Sequence, residues 1–163
     1  MATQAQYGVF LYLYEDENKR YEHLQDRAKL YLSIASIYLG AIAFKVDDVL
    51  RLVTQFRIPV WLWLMTGGIL IAAVVLISWA VRIRDYEGIC NPVEVIARYV
   101  HEPPPSDEDF LDDRLVDLAA ATNRNSAAND RVARLLEWAA VAIILAFSLQ
   151  LTFFAIAAYN RTK

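Results

Sequence analysis

The sequence predicts an all-α membrane protein: a bundle of three transmembrane helices with long helical extensions into the cytosol. Three uncharged, apolar runs separated by charged segments support this fold class, at residues 30–44, 59–81 and 139–158. A helix rises about 1.5 Å per residue, so the run at 59–81 is long enough to cross a hydrocarbon core about 30 Å thick. A soluble core helix rarely needs so long a stretch that is apolar on every face.

The first predicted element is a cytosolic helical arm, residues 1–29, that continues into the first span. No proline or glycine separates the charged part of the arm from the span, so one long helix is expected. The run at 30–44 is short for a bilayer. It crosses only if Lys29 and Lys45 extend their ammonium groups to the two interfaces.

The next elements are an outer loop and the second span. Residues 45–58 alternate charges with Val, Leu and Phe, which is typical of an amphipathic segment lying along the outer interface. Pro59 suits the first turn of the second span. The tryptophans Trp61, Trp63 and Trp79 mark the two ends of that span as an aromatic belt.

The segment 82–138 is predicted to be cytosolic and to become helical after a turn-rich start. Gly, Asn-Pro and triple-proline signals mark turns around a short predicted helix at 93–101. Ser106 followed by Asp109 is a helix-capping pattern. The helix that starts there meets no Pro or Gly before the third span. A break within 122–129, which is rich in Asn and Ser, is the alternative.

The domain organisation and orientation follow from these elements. The predicted parts are the arm 1–29, the first two spans with their outer loop 30–81, the cytosolic segment 82–138, and the third span with the C-terminus 139–163. The cytosolic parts hold about twice as many Lys and Arg residues as the outer parts, which predicts a cytosolic N-terminus and an external C-terminus.

Catalysis is not expected from this composition. The two histidines lie in different segments without metal-spaced partners, and the single cysteine has no histidine near it in sequence. No Gly-rich phosphate loop is present. We therefore expect no catalytic residue, no metal and no cofactor.

Polar residues inside the third span are candidate pore-lining residues: Ser148, Gln150 and Thr152. An amide buried in hydrocarbon costs free energy unless it finds a partner. Two interpretations stay open. These side chains line a pore, or Gln150 bonds a neighbouring helix while the hydroxyls bond back to their own helix. Three spans are too few to enclose an aqueous path, so a pore requires a symmetric homo-oligomer, for which we expect a tetramer.

Arginine and asparagine side chains that suit a phosphate-bearing ligand flank the first and third spans on the cytosolic side. Arg forks match phosphates, and Asn amides match base edges. The candidate ligand-binding residues are Arg20, Arg27, Asn123, Arg124, Asn125, Asn129, Arg131 and Arg134. The alternative is an anchor to anionic lipid, combined with ion pairs to nearby aspartates.

The stretch YEDENKRYEHLQDRAKLYLSIASIYLGAIAF (14–44), a charged helix that runs into a Ser-containing span, resembles the first helix of a group of small bacterial membrane effectors. These effectors are linked to nucleotidyltransferase or cyclase signalling in anti-phage defence, in the Pycsar, CBASS and related systems. The stretch NRNSAANDRVARLLEWA (123–139) fits the same plan.

The resemblance implies a multi-pass protein of the bacterial inner membrane that is silent in healthy cells. A nucleotide second messenger, or a nucleotidyltransferase-type partner protein, would control it. Activation would open a pore or permeabilise the membrane. The alternative is a non-conducting membrane scaffold or accessory subunit that anchors a soluble partner.

Overall fold

The computed structural model of the chain describes residues 3–56, 58–83 and 106–162, and within these ranges it is helical and contains no strand. The all-α class is confirmed, and three of the described helices are long and apolar enough to be candidate membrane spans. The short helix predicted at 93–101 lies outside the described residues. The four helices are α1 (Gln4–Phe44), α2 (Val46–Phe56), α3 (Val60–Arg82) and α4 (Asp107–Arg161).

Helix α1 is the predicted continuous helix that joins the charged arm to the first apolar run. A capping box starts it: Gln6 N–H donates to Thr3 Oγ1 at 3.3 Å, and Thr3 N–H donates to Gln6 Oε1 at 2.9 Å. Within its charged part, ion pairs one turn apart support the helix, as in the 2.9 Å contact between Lys29 and Asp26.

Helix α2 confirms the amphipathic character predicted for residues 45–58. Asp47 and Asp48 lie in its first turn, where carboxylates interact favourably with the helix dipole. Its apolar side buries Val49, with Leu52 and Val53 partly buried beside it. The helix is therefore held by apolar contacts rather than by helix propensity alone.

Helix α4 is unbroken over 55 residues, about 80 Å, so the alternative of a break within 122–129 is wrong. Ser106 caps it, because Asp109 N–H donates to Ser106 Oγ at 3.2 Å. From Arg114 to Ala157 its buried positions recur in steps of three and four residues, the spacing of a coiled-coil seam.

Two compact units divide the chain, and α1 and α4 contribute to both. The helix-pair unit comprises residues 1–24 and 83–132; the span unit comprises 25–82 and 133–163. In the helix-pair unit a core of Tyr14, Leu118 and Ala121 is packed against Tyr7, Phe10 and Leu11. This core joins the first turns of α1 to α4.

In the span unit the three apolar helices pack around two clusters. The first contains Ala35, Leu70, Ala73, Ile143 and Ala146; the second contains Val49, Ile58, Leu62, Phe153 and Ala157. Alanines in the first cluster allow close helix approach, as is usual in membrane bundles. The first cluster brings Leu70 of α3 together with Ile143 of α4, and the second brings the earlier Leu62 together with the later Phe153. Later residues of α4 thus pack with earlier residues of α3, so the two helices are antiparallel. This matches an up-down-up arrangement of three spans.

Candidate functional site

A polar contact joins α1 to α4 within the seam of the helix-pair unit. The Asn129 side chain is fully buried, and its Nδ2 group donates to Glu17 Oε2 at 2.7 Å and to the Glu17 backbone carbonyl at 3.0 Å. Its Oδ1 atom is buried without a hydrogen-bond partner among the described residues. A buried acceptor left in that state costs free energy, so this position is locally strained.

Arg20 extends this contact toward the surface. Its guanidinium donates to Asp130 Oδ1 at 2.6 Å and lies 3.5 Å from Glu17 Oε1. The hydrogen bond to Asp130 raises the pKa of Arg20 above its usual value, with the nearby Glu17 charge adding to the effect. Both partners of the Arg20–Asp130 pair are about half exposed, so the pair adds at most about 1 kcal/mol of stability. We call Glu17, Arg20, Asn129 and Asp130 the polar latch.

The buried spacing of α4 changes at the polar latch. Ala121, Asn125 and Asn129 follow one another in two successive steps of four residues, whereas the steps elsewhere on the seam alternate between three and four. Such an insertion into a heptad pattern locally unwinds a coiled coil. The fully buried Asn125 and Asn129 therefore lie where the α1–α4 seam departs from regular packing.

The eight predicted ligand-binding residues divide into two groups in the structure. Asn125 and Asn129 are buried and Arg20 is paired within the polar latch. The other five have exposed side chains: Arg27, Asn123, Arg124, Arg131 and Arg134. Arg131 and Arg134 lie one turn apart on the same exposed side of α4. The structure thus does not bring the eight residues to one surface, and ligand binding by any of them stays a prediction.

The three predicted pore-lining residues do not share one helix face. Ser148 and Thr152 are exposed, and their hydroxyls donate at 2.9 Å to the Ile144 and Ser148 carbonyls of their own helix. Gln150 is only 8% exposed and projects into the span unit, where its Oε1 atom has no hydrogen-bond partner among the described residues. Pore lining itself stays a prediction.

Gln150 belongs to a polar layer between the two apolar clusters of the span unit. On α4 it lies between Ala146 of the first cluster and Phe153 of the second. On α3 the fully buried Thr66 lies between Leu70 and Leu62 of the same clusters, and its hydroxyl donates to the Leu62 carbonyl at 3.0 Å. A polar layer in a membrane bundle fixes helix register and marks the least apolar level of the core.

Several of these features have no signal in the sequence alone. Glu17 and Asp130 become partners of Asn129 and Arg20 only through the α1–α4 contact, across a separation of more than 100 residues. Arg114 is also buried, and it is paired with Asp117 at 2.8 Å. Arg114 lies four residues before Leu118, and this helical spacing is the signal in the sequence that indicates its burial.

Among the residues that the structure describes, no three His, Cys, Asp or Glu side chains are grouped closely enough to hold a metal ion. Cys90 and His101 lie outside those ranges. No protein-family model matches the chain, and no curated protein or solved structure shows significant similarity to it.

Proposed function

We propose that this protein is an oligomeric effector of the bacterial inner membrane that acts in anti-phage defence. It would form a gated pore or permeabilise the membrane. A nucleotide second messenger, or a partner enzyme that synthesises one, would control it. In this proposal the helix-pair unit lies in the cytosol.

The continuity of α1 and α4 is the observation that carries the proposal. Each helix contributes residues to the core of the helix-pair unit and to the apolar core of the span unit. A ligand that favours one arrangement of the helix pair can therefore act on the spans through unbroken backbone. It shifts a gate only by the difference between its affinities for the two states.

The polar latch supports a gate with two states. It is the place where the α1–α4 seam departs from regular spacing and where a buried acceptor is left unpaired. An unpaired buried acceptor raises the free energy of this packing and so narrows its gap to a packing that would satisfy the acceptor. We propose that a signal acting on the helix pair rearranges this seam.

Two exposed arginines support the proposal that the controlling signal carries phosphate groups. Arg131 and Arg134 carry no hydrogen bond or ion pair to any described residue and lie one turn apart. Two guanidinium forks at that spacing suit the phosphates of a nucleotide. The competing ligand with the same chemistry is the phosphate of an anionic lipid headgroup.

Liposome leakage tests the proposal. The purified protein is reconstituted into vesicles loaded with a self-quenching dye, and cyclic nucleotides and nucleoside triphosphates are added in turn. At least one nucleotide should accelerate dye release, the rate should rise with the amount of protein per vesicle, and vesicles without protein should retain their dye. If neither a nucleotide nor the protein at high density releases dye, and overexpression leaves the membrane potential of cells intact, the pore proposal is wrong.

A second candidate function, a non-conducting scaffold, is favoured by one feature of the helix-pair unit. Val9, Tyr12 and Leu13 are exposed on α1, away from its contact with α4. Exposed aromatic and aliphatic side chains on a segment outside the spans suit a docked protein. A scaffold would bind a soluble partner without depolarising cells, so the membrane potential separates the two functions.

A further inference from the structure

The first span is the least covered of the three, although it is also the least apolar. In its most apolar 18-residue window only 11% of the residues are buried, against 28% in each of the other two spans. Polar side chains are costly in hydrocarbon and small residues allow close helix contact, so in membrane bundles both are found mostly at contacts with protein. A single protomer in lipid should bury the largest fraction of its least apolar span, but the apolar window of α1 has the smallest buried fraction of the three.

The uncovered side of α1 has small and polar residues at its centre. Ser33, Ile37, Gly40 and Phe44 are exposed and follow the spacing of a single helix face, opposite the buried Ala35. Ser36 lies four residues before Gly40, and it is exposed beside that line. A pair of small residues four positions apart allows two helix backbones to approach closely within a bilayer.

Gly40 is not required by the packing of the protomer. A Cβ atom at this position would meet nothing within 4 Å. Glycine is nevertheless among the residues least favourable to a helix. Together with the polar and small residues beside it, Gly40 leaves room for another helix to approach this face closely.

The charges at the two ends of this face do not oppose association between parallel copies. Lys29 is paired with Asp26 and Lys45 with Asp48, both at 2.9 Å. Each lysine is therefore paired with a carboxylate of its own protomer, and two copies placed side by side do not bring these ammonium groups together unpaired. A second copy with the same orientation also places its own Ser33, Ser36 and Gly40 at the same depth in the bilayer.

The exposed face of α3 differs in the way expected for contact with lipid. Trp61 and Trp79 are exposed at its two ends, where tryptophans border the hydrocarbon in lipid-facing helices. It also carries an exposed glycine, Gly68, with open space around it. Gly68 is thus a matched control for Gly40.

From these observations we infer that the face of α1 formed by Ser33, Ser36, Ile37 and Gly40 binds the same face of a second copy across a two-fold axis. The inference rests on the proposed oligomeric function and specifies its first interface. An isologous pair of this kind closes as a dimer, so a larger ring would join such pairs through a second, different interface.

Cysteine crosslinking in liposomes tests the contact. In a background in which Cys90 is replaced by Ala, Gly40→Cys is compared with Gly68→Cys under mild oxidation. Gly40→Cys should give a disulfide-linked dimer at least ten times faster than Gly68→Cys. Equal rates at the two positions would overturn the inference, because they would report random collision.

Size variants provide an independent readout. Gly40→Leu fits the isolated protomer, since the space around the Cβ is open, but it blocks close approach of a second copy. The dissociation constant of the pair, measured by single-molecule photobleaching in liposomes, should rise at least tenfold in Gly40→Leu and stay unchanged in Gly68→Leu. An unchanged constant in Gly40→Leu contradicts the inference.

Dye leakage in the same vesicles separates this inference from the proposed function. Dye leakage without crosslinking of Gly40→Cys would contradict the α1 interface and still support the proposed pore. Crosslinking without leakage under any nucleotide would support the interface and contradict the pore.

Discussion

The Asn129 side chain ties α4 to Glu17 of α1 through two hydrogen bonds, of 2.7 Å to the carboxylate and 3.0 Å to the backbone carbonyl. Asn129 is fully buried in the seam, four residues after the fully buried Asn125 and three residues before the buried Val132. A buried polar residue at such a position can fix the register of a helix pair at a cost in stability. The contact therefore selects one alignment of α1 against α4 within the helix-pair unit.

Replacing Asn129 tests this role. Asn129→Ala removes both hydrogen bonds and leaves the partly buried Glu17 carboxylate without its shortest donor. The expected loss is about 1–3 kcal/mol of local stability. Hydrogen exchange of the α1 amides from Tyr7 to Arg20 should accelerate accordingly. The exposed Asn123→Ala is the control and should leave exchange within error. Equal protection in both variants would mean that Asn129 does not hold the pair together.

The Lys45–Asp48 ion pair at the start of α2 gives a prediction about pH. The hydrogen bond from Lys45 lowers the pKa of Asp48 below its ordinary value of 3.8. A carboxyl whose pKa is lower in the folded than in the unfolded state stabilises the fold above its unfolded pKa. The contribution of Asp48 is thus constant near neutral pH and is lost as the pH falls below about 4 through the folded value.

A carboxyl-carbon NMR titration of Asp48 checks this. Lys45→Ala should return the pKa of Asp48 to about 3.8, because it removes the main cause of the shift. Arg51 contributes only the smallest lowering effect, so Arg51→Ala should move the pKa much less. A larger change in Arg51→Ala than in Lys45→Ala would contradict the assignment.

The polar residues of the third span give a prediction about conduction that separates its two faces. Gln150 is buried beside an apolar core, so Gln150→Leu removes an unpaired polar atom and should leave the protomer folded. On the proposed function it alters conductance or toxicity while the oligomer survives. Ser148→Ala tests the opposite, exposed face of the same helix, and the variant that alters conduction shows which face lines the path. Unchanged ion flux and unchanged toxicity in Gln150→Leu would remove Gln150 from the conduction path.

The fold was predictable because its signals are local. Unbroken apolar length identifies three candidate spans, and the absence of Pro and Gly from residues 9–39 and 107–161 identifies the long uninterrupted parts of α1 and α4. The break expected as an alternative within 122–129 does not occur, because buried apolar residues on both sides of it, Leu118, Ala121 and Val132, hold the helix by packing, which outweighs the weak helix propensity of Asn.

The candidate site was predictable only in part, since its chemistry depends on contacts between distant segments. The sequence indicated that Asn129 and Arg20 are polar residues on helices. It gave no indication that both are drawn into an α1–α4 seam, because partner choice depends on register. The opposite placement of Gln150 and Ser148 follows from their spacing of two residues, which helical geometry puts on nearly opposite faces.

The exposed arginines of α4 give the final prediction. Arg131→Ala combined with Arg134→Ala should weaken binding of a phosphate-bearing nucleotide at least tenfold, as measured by calorimetry on the detergent-solubilised protein. The matched control is the double Lys variant, which keeps both charges but loses the guanidinium forks. If the forks bind the nucleotide, the Lys variant is also weakened, because an ammonium group cannot make the paired hydrogen bonds. If affinity for every nucleotide persists in the Ala variant, while the stabilising effect of anionic lipid on thermal unfolding disappears, the two arginines are a lipid anchor.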